Sequence, residues 1–138
     1  MNKIYVTHAC LLSQDSKKCY VEANERYNLS LTFFWWKLDE NENYLTWIKR
    51  ELLEETWLKI PDEQIKTIIE EDRLNIWDIT YIWRVYCVIL TKIQIYALLK
   101  KSTRNIELNT DDDSLGKANF AFNDLSDKIK LAIKKVNL

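Results

Sequence analysis

Three glutamates near residue 50 have a spacing that could support metal chemistry. Glu51, Glu54 and Glu55 are three and four positions apart, so on a helix their carboxylates would project from one side. Like charges at this spacing cost about 0.2–0.5 kcal/mol per pair on an exposed helix. Mg²⁺ prefers such hard oxygen ligands, together with water and phosphate oxygens. The spacing therefore indicates either a divalent-metal site for phosphate chemistry or a solvated acidic face.

These acids must be carried by a helix, and the apolar residues around them predict one. The pattern extends from residue 44 to about residue 57, with charged residues between the apolar positions, and Pro61 is expected to end it. The positions predicted to face the core are Leu45, Ile48, Leu52 and Thr56.

The N-terminal third predicts antiparallel sheet. Residues 4–12 and 17–23 are β-rich runs separated by a polar hairpin turn, and a third strand is expected at 29–34, followed by a polar loop at 37–43. Strands, a helix and further strands in this order indicate a mixed sheet with helices packed on it.

The remainder of the chain continues the α/β pattern. The charged segment 62–73 leaves room for a short helix, and residues 81–90 and 94–99 resemble strands. Residues 109–114 are expected to form an acidic loop. Asn123 and Asp124 are candidates to cap a last helix that has one apolar face, with lysines, Lys128 among them, on the other.

Composition restricts the function classes. With 138 residues, 20 basic and 21 acidic, the chain has room for one domain and a formal net charge of -1, so no general attraction to nucleic acid or an anionic membrane is expected. Neither a spanning segment nor a signal-peptide core is evident, which favours the cytoplasm. The three cysteines lack metal-site or disulfide spacing and are expected to be reduced.

His8 is the single histidine of the chain. It lies in an apolar run without a serine or cysteine nucleophile motif nearby, so a Ser-His-Asp or Cys-His hydrolase is poorly supported. A structural role is the expectation for this residue.

The acidic segment and the residues before it resemble the Nudix box, written G-x5-E-x7-R-E-U-x-E-E-x-G-U with U a bulky aliphatic residue. Glu42 lies eight residues before Arg50, and residues 50–55 and Leu58 match in register. The run LTFFWWKL at 31–38 is similar to the family's LTFPGGKL. Weaker similarity near the C-terminus extends the resemblance over nearly the whole chain.

The resemblance implies an α/β fold, a Nudix-type α/β/α sandwich around a mixed β-sheet, with residues 1–138 as one domain. It implies a pyrophosphohydrolase that cuts a phosphoanhydride bond in a nucleoside diphosphate derivative, such as a nucleoside triphosphate or a similar small nucleotide. Mg²⁺, or Mn²⁺ in its place, would activate the attacking water. The substrate stays open, a capped RNA end included, and no membrane partner is expected.

Roles at the metal also follow from the resemblance. Glu54 and Glu55 would bind the metal, and Glu51 would be a further ligand or base. Trp35, at the glycine position before the box, joins the predicted metal site. Glu42 would pair with Arg50 and brace the loop against the helix.

Two further groups of residues are implicated by their position in the family pattern. Asp112 is the candidate late acid for metal binding or water activation, with Asp111 and Asp113 nearly as plausible. Arg26 and Tyr27 precede the third strand, in a region that lines the nucleotide pocket of similar proteins, so they are candidates to contact base or phosphate. Solvated loop residues are the alternative for that pair.

Tryptophan stands where the family has small residues. Trp36 and Trp57 occupy the two box glycines, Trp35 the glycine before the box, and Trp47 a position where glycine or alanine is common. The chain has 6 tryptophans and 1 glycine, whereas an average share of about 7% would give about ten glycines. Glycine serves where the backbone needs positive φ or close approach, and tryptophan replaces it poorly.

Three explanations for the tryptophans are open. In the first, the codons are UGA, written as tryptophan but read as glycine in the source organism. This explanation would implicate Trp77 and Trp83 too. Genuine divergence is the second explanation, supported by Phe34 at the usual proline, which recoding does not explain. The third is a catalytically impaired Nudix-like module that binds nucleotides or a partner protein, against which the retained acids argue.

Overall fold

The computed structural model describes residues 2–38 and 43–137. Over these residues, seven strands form one sheet, and four α-helices pack on its two faces. This is the predicted mixed α/β architecture. The strands are β1 (Asn2–Ser13), β2 (Lys18–Asn24), β3 (Ser30–Thr32), β4 (Phe34–Leu38), β5 (Ile65–Ile76), β6 (Ile79–Leu90) and β7 (Asn105–Asn109). The helices are α1 (Tyr44–Thr56), α2 (Lys92–Lys101), α3 (Asp112–Lys117) and α4 (Leu125–Val136).

The sheet is mixed because β1 pairs in parallel with β6 and antiparallel with β2 and β4. The strand order is β3-β2-β1-β6-β5, with β4 joined to β1 and β7 joined to β2. β1 is therefore the central strand, and side chains on its two faces reach two separate cores.

The predicted third strand is in fact two strands with different neighbours. β3 pairs with β2 through Glu22 and Thr32, and β4 pairs with β1 through Ala9 and Phe34. The chain changes neighbour at the buried Phe33, so strand pairing continues to Leu38, beyond the residue where a loop was expected. The segment 31–38 therefore contributes one strand beside β2 and one beside β1.

Two hydrophobic cores lie on opposite faces of the sheet. The first packs α1 and α2 against β1, with Leu11, Ile48 and Leu98 completely buried. The second packs α3 and α4 against the other face, with Leu12 and Ile129 completely buried. A strand buried on both faces is expected at the centre of an α/β/α sandwich.

The acidic helix α1 begins and ends through local hydrogen bonds. The Asn43 side chain accepts from the backbone N–H groups of Leu45 and Thr46. Trp57 takes a left-handed conformation, with φ 62°, and its N–H bonds to the Leu53 carbonyl at 3.0 Å. The helix therefore ends at Thr56, before Pro61 could end it. The predicted core positions Ile48, Leu52 and Thr56 are buried, Trp47 joins them, and Leu45 is half-buried.

Two segments in the middle of the chain differ from the prediction. The charged segment 62–73 begins with a short helix, a 3-10 turn at Asp62–Gln64, but from Ile65 onwards it forms β5, an edge strand whose described charged side chains face solvent. Residues 94–99 belong to α2, because Thr91 and Gln94 form a reciprocal capping box that starts a helix there. An apolar run of six residues does not distinguish a strand from a helix face, and the cap decided the outcome.

The C-terminal segments follow the prediction in part. The strand β7 was not foreseen, and the expected acidic loop contains the first turn of α3, capped by the Asp111 carboxylate. The last helix is confirmed as α4, with Asp124 at its N-cap position but without a side-chain cap bond.

The predicted thiol state of the cysteines is confirmed. All three are free and buried, Cys10 and Cys87 facing each other across β1 and β6. None of the helices in 2–38 and 43–137 is long and apolar enough to cross a membrane.

Candidate functional site

The three glutamates of the predicted metal site lie on α1. Glu54 and Glu55 are exposed and Glu51 is half-buried. Arg50 extends along the same helix, its Nε 4.0 Å from an Oε of Glu54 and its guanidinium 4.2 Å from the Trp47 ring centroid. The acids thus stand on the solvent side of a helix whose other side is buried. Glu42, predicted to brace Arg50, lies outside the described residues.

A fourth acid, Glu22 on β2, was missed by the sequence analysis. It is half-buried, and burial raises the pKa of its carboxyl, with the negative charge of Glu55 adding to the rise and Arg104 opposing it. The carboxyl groups of Glu22 and Glu55 are therefore close enough to interact electrostatically. The alternation of side chains along β2 could have revealed it. Glu22 lies two residues from the buried Tyr20 and so shares its sheet face, where a fully solvated acid is not expected.

The late acidic run is not brought to these acids. β7 pairs Asn105 with Glu22 and Asn109 with Lys18, so the residues after Asn109 lie at the far end of β2, about 13 Å along the strand from Glu22. There the Asp112 carboxylate is 3.1 Å from Nζ of Lys130. Asp111 caps α3, and Asp113 pairs with Lys117.

The donors on α1 and β2 suit a hard divalent cation in type. They are carboxylate oxygens, the ligands that Mg²⁺ and Mn²⁺ prefer, and the repulsion between Glu22 and Glu55 would be relieved by a cation near them. Within residues 2–38 and 43–137, no three His, Cys, Asp or Glu side chains are arranged to hold one ion. Coordination would thus require these side chains to rotate towards a common point.

A cavity of about 520 Å³ lies on the other face of the sheet, beside the start of α4. Arg26 and Tyr27, predicted to contact substrate, both line it. Trp35, predicted at the metal site, has its ring near His8 on this face. The volume falls within the range of small-molecule sites in proteins.

Aromatic rings and basic side chains both line this cavity. The Arg26 guanidinium is 5.8 Å from the Trp35 ring centroid, and Nζ of Lys128 is 5.3 Å from that of Trp83. Tyr27 meets Phe122 edge to face at 5.1 Å. Such walls favour a planar ring that carries negative charge.

Lys128 was expected on the solvated face of α4, but the structure places it at the cavity. Its side chain is only 13% exposed, and its Nζ lies 2.9 Å from the Asp124 carboxylate one helical turn earlier. The long aliphatic stem covers apolar surface while the ammonium stays paired. The α4 side of the cavity therefore carries a lysine–aspartate ion pair, whose lysine the helical pattern alone assigned to solvent.

The cavity and the acids lie on opposite faces of the sheet and share the strand pair β2 and β3. Thr32 lines the cavity and is the cross-strand partner of Glu22. Directly opposed residues on antiparallel strands are about 5 Å apart. Because β3 is at the edge of the strand order, a ligand could contact both the cavity and the Glu22 side of α1 only by passing around β3.

The tryptophans fall into two structural classes. Trp57 and Trp77 have positive φ, 62° and 58°, and are 71% and 96% exposed. Trp36 and Trp47 are buried in the first core, and their indole N–H groups have no acceptor among the residues that the structure describes. The first class takes the conformation that favours glycine, and the second fills volume.

No protein-family model matches the sequence, and a search of curated proteins gives no significant match. Solved structures do match. NrtR of Shewanella oneidensis, complexed with a 27mer DNA, superposes with a TM-score of 0.74 at 16% identity, over 96% of this chain. This chain spans only 61% of that NrtR chain.

Two further structures cover more of their own length. A mutT/nudix family protein from Listeria innocua has a TM-score of 0.69 at 18% identity, over 99% of this chain and 96% of that one. The Nudix domain of Shewanella oneidensis NrtR complexed with ADP ribose has a TM-score of 0.68 at 17% identity, over 99% and 90% of the two chains. The chain therefore has the Nudix fold.

Proposed function

We propose that this protein is a Mg²⁺-dependent pyrophosphohydrolase that cuts a phosphoanhydride bond in a small nucleotide. The observation that carries the proposal is the row of acids on α1, together with the half-buried Glu22 on β2, whose neighbour β3 lines an aromatic, cationic cavity. One region would take the phosphates and the other the nucleoside. The Nudix fold and the matching register of residues 50–55 support the same conclusion.

The acids of α1 would hold the cation. Glu54 and Glu55 are exposed, so a cation in solution can reach their carboxylates. Glu51 lies one turn before Glu55. Bound Mg²⁺ would neutralise charge on phosphate oxygens and lower the pKa of a coordinated water. Glu22, whose pKa is raised by burial and by Glu55, would be the candidate general base.

Arg50 would position the acids. Its Nε lies 4.0 Å from Glu54 while its guanidinium stacks on the Trp47 ring, so the orientation of Glu54 is coupled to the core. Asp112 remains a proposed late acid only if α3 moves, since its carboxylate lies with Lys130 at the far end of β2.

The cavity residues would hold the nucleoside. Arg26 and Tyr27 are the proposed contacts, Arg26 through charge and Tyr27 through its ring. The NrtR Nudix domain, a similar structure, was solved with ADP ribose, a ligand that combines a base with a diphosphate.

A non-catalytic Nudix-like module is the second candidate function. The observation that favours it is the buried Trp36 and Trp47 at family glycine or alanine positions, which restrict backbone approach near α1. NrtR was solved with DNA, so a Nudix fold also occurs in a protein bound to a ligand other than a small nucleotide.

Product release distinguishes the two functions. The protein would be incubated with a panel of nucleoside triphosphates, ADP-ribose and dinucleoside polyphosphates, with Mg²⁺ or with a chelator, and phosphate and pyrophosphate would be measured. We expect release from at least one nucleotide that requires the metal. Nucleotide binding by calorimetry without any release would instead favour the binding module.

A further inference from the structure

His8 is placed at the floor of the cavity by the central strand. It lies on β1, and its imidazole faces the same side as Trp35, its cross-strand partner on β4. Part of the ring surface opens to the cavity, while Nδ1 is buried and has no hydrogen-bond partner. Because Nδ1 is shielded from solvent, a ligand in the cavity would meet the other ring nitrogen, Nε2, which is not buried in this way.

The surroundings of His8 keep it neutral. Burial lowers the pKa of His8 from 6.5 to about 4, with the positive charge of Lys128 adding to the fall and Asp124 opposing it. A neutral imidazole has one N–H donor and one acceptor nitrogen. It therefore offers directional hydrogen bonding to a ligand but no charge for a phosphate.

The rings around His8 select the shape of that ligand. Trp35, Trp83 and Phe33 stand with ring centroids 6.3–6.5 Å from the imidazole. They supply apolar faces, and the cations Arg26 and Lys128 lie further out on two of the indole rings. A flat heterocycle with polar edge atoms and an attached anionic group fits this order of walls.

We infer that His8 is a specificity-determining residue that hydrogen-bonds the polar edge of a nucleobase held in this cavity. The inference rests on the proposed nucleotide substrate, and it identifies the side chain that would distinguish one base from another. A hydrogen bond contributes about 0.5–1.5 kcal/mol, which corresponds to a preference of about 2- to 13-fold between bases that can and cannot make it.

Nitrogen NMR of the imidazole tests this directly, because the chain has a single histidine. Non-hydrolysable nucleoside triphosphates with adenine, guanine, hypoxanthine, cytosine or uracil would be added without metal, beside inorganic tripolyphosphate. We expect one imidazole nitrogen to shift with the preferred nucleotide and not with tripolyphosphate. Equal shifts with tripolyphosphate, or none at saturating nucleotide, would overturn the inference.

A matched pair of variants gives the second measurement. His8→Phe keeps a ring of similar size without hydrogen bonding, so the ratio of affinities between bases, measured by calorimetry, should fall towards one. Thr7→Val is the control, since Thr7 is the adjacent β1 residue, fully buried, with its own unpaired hydroxyl, and points to the other face. Its ratio should equal that of the unmodified protein, and an unchanged ratio in His8→Phe contradicts the inference.

These readouts are separate from hydrolysis. If no nucleotide is hydrolysed but the His8 resonance still shifts with a base, the proposed activity fails and the inference stands. If metal-dependent hydrolysis occurs without base preference or a shift, the activity stands and the inference fails.

Discussion

Glu54→Gln and Glu55→Gln should each lower metal-dependent turnover by at least about 100-fold while the fold persists. Removing a residue that only supports a metal ligand typically costs 10- to 100-fold, so removing a ligand should cost at least the upper figure. Both side chains are exposed on α1, and exposed substitutions usually change the free energy of unfolding by less than about 0.5 kcal/mol. Turnover would be measured on the nucleotide that the unmodified protein hydrolyses, and stability by denaturant unfolding.

Glu63→Gln is the matched control, because Glu63 is also exposed and loses the same charge but lies outside α1. Its turnover should remain within about twofold of the unmodified protein. Full activity in the Glu54 and Glu55 variants would remove α1 from the active site, whatever the nucleotide.

Trp47→Gly should destabilise the protein by about 4–6 kcal/mol. Truncating a buried tryptophan costs about 3–5 kcal/mol, and glycine inside a helix adds about 1 kcal/mol. Trp47 is 8% exposed in the first core and lies within α1. The free energy of unfolding, measured with denaturant, gives the difference, and near-complete unfolding of the variant would satisfy the prediction.

Trp77→Gly should have the opposite sign, a gain of about 1 kcal/mol. Trp77 lies in the two-residue loop between β5 and β6, with φ 58° and a side chain 96% exposed. A left-handed non-glycine residue there costs about 1–2 kcal/mol, and the loop type favours glycine. Trp77→Ala, which removes the ring but not the strain, should show no gain.

The two signs together decide between explanations for the tryptophans. A loss at Trp47 with a gain at Trp77 means that the core is built around its tryptophan. A gain at both positions would contradict this packing and support UGA codons read as glycine, because a site shaped for glycine is strained by an indole.

The sequence predicted the parts of the fold where one local signal dominated. The acidic helix, the first hairpin and β6 followed from periodicity and turn residues, whereas the Nudix fold was implied by the resemblance of residues 42–58 to the family's box. It failed where other contacts decided. A six-residue apolar run became part of α2 through its cap, and the charged residues 65–73 became β5 by pairing with β6.

The candidate site was predictable only in its α1 half. Glu22 is 29 residues before Glu51 in the printed sequence, and only the pairing of β2 with β1 places it on the sheet face that α1 covers. The cavity depends on β1, β4 and α4 together, so no local pattern could reveal that His8 and Lys128 share it.

The central claim is that the α1 carboxylates bind the cation of a phosphate-cleaving site, and a Mn²⁺ titration followed by electron paramagnetic resonance tests it without knowledge of the substrate. The account predicts a bound Mn²⁺ that Mg²⁺ displaces, with affinity at least about 10-fold weaker in Glu55→Gln and unchanged in Glu63→Gln. Equal Mn²⁺ affinity in the two variants, or no bound Mn²⁺ in the unmodified protein, would contradict it.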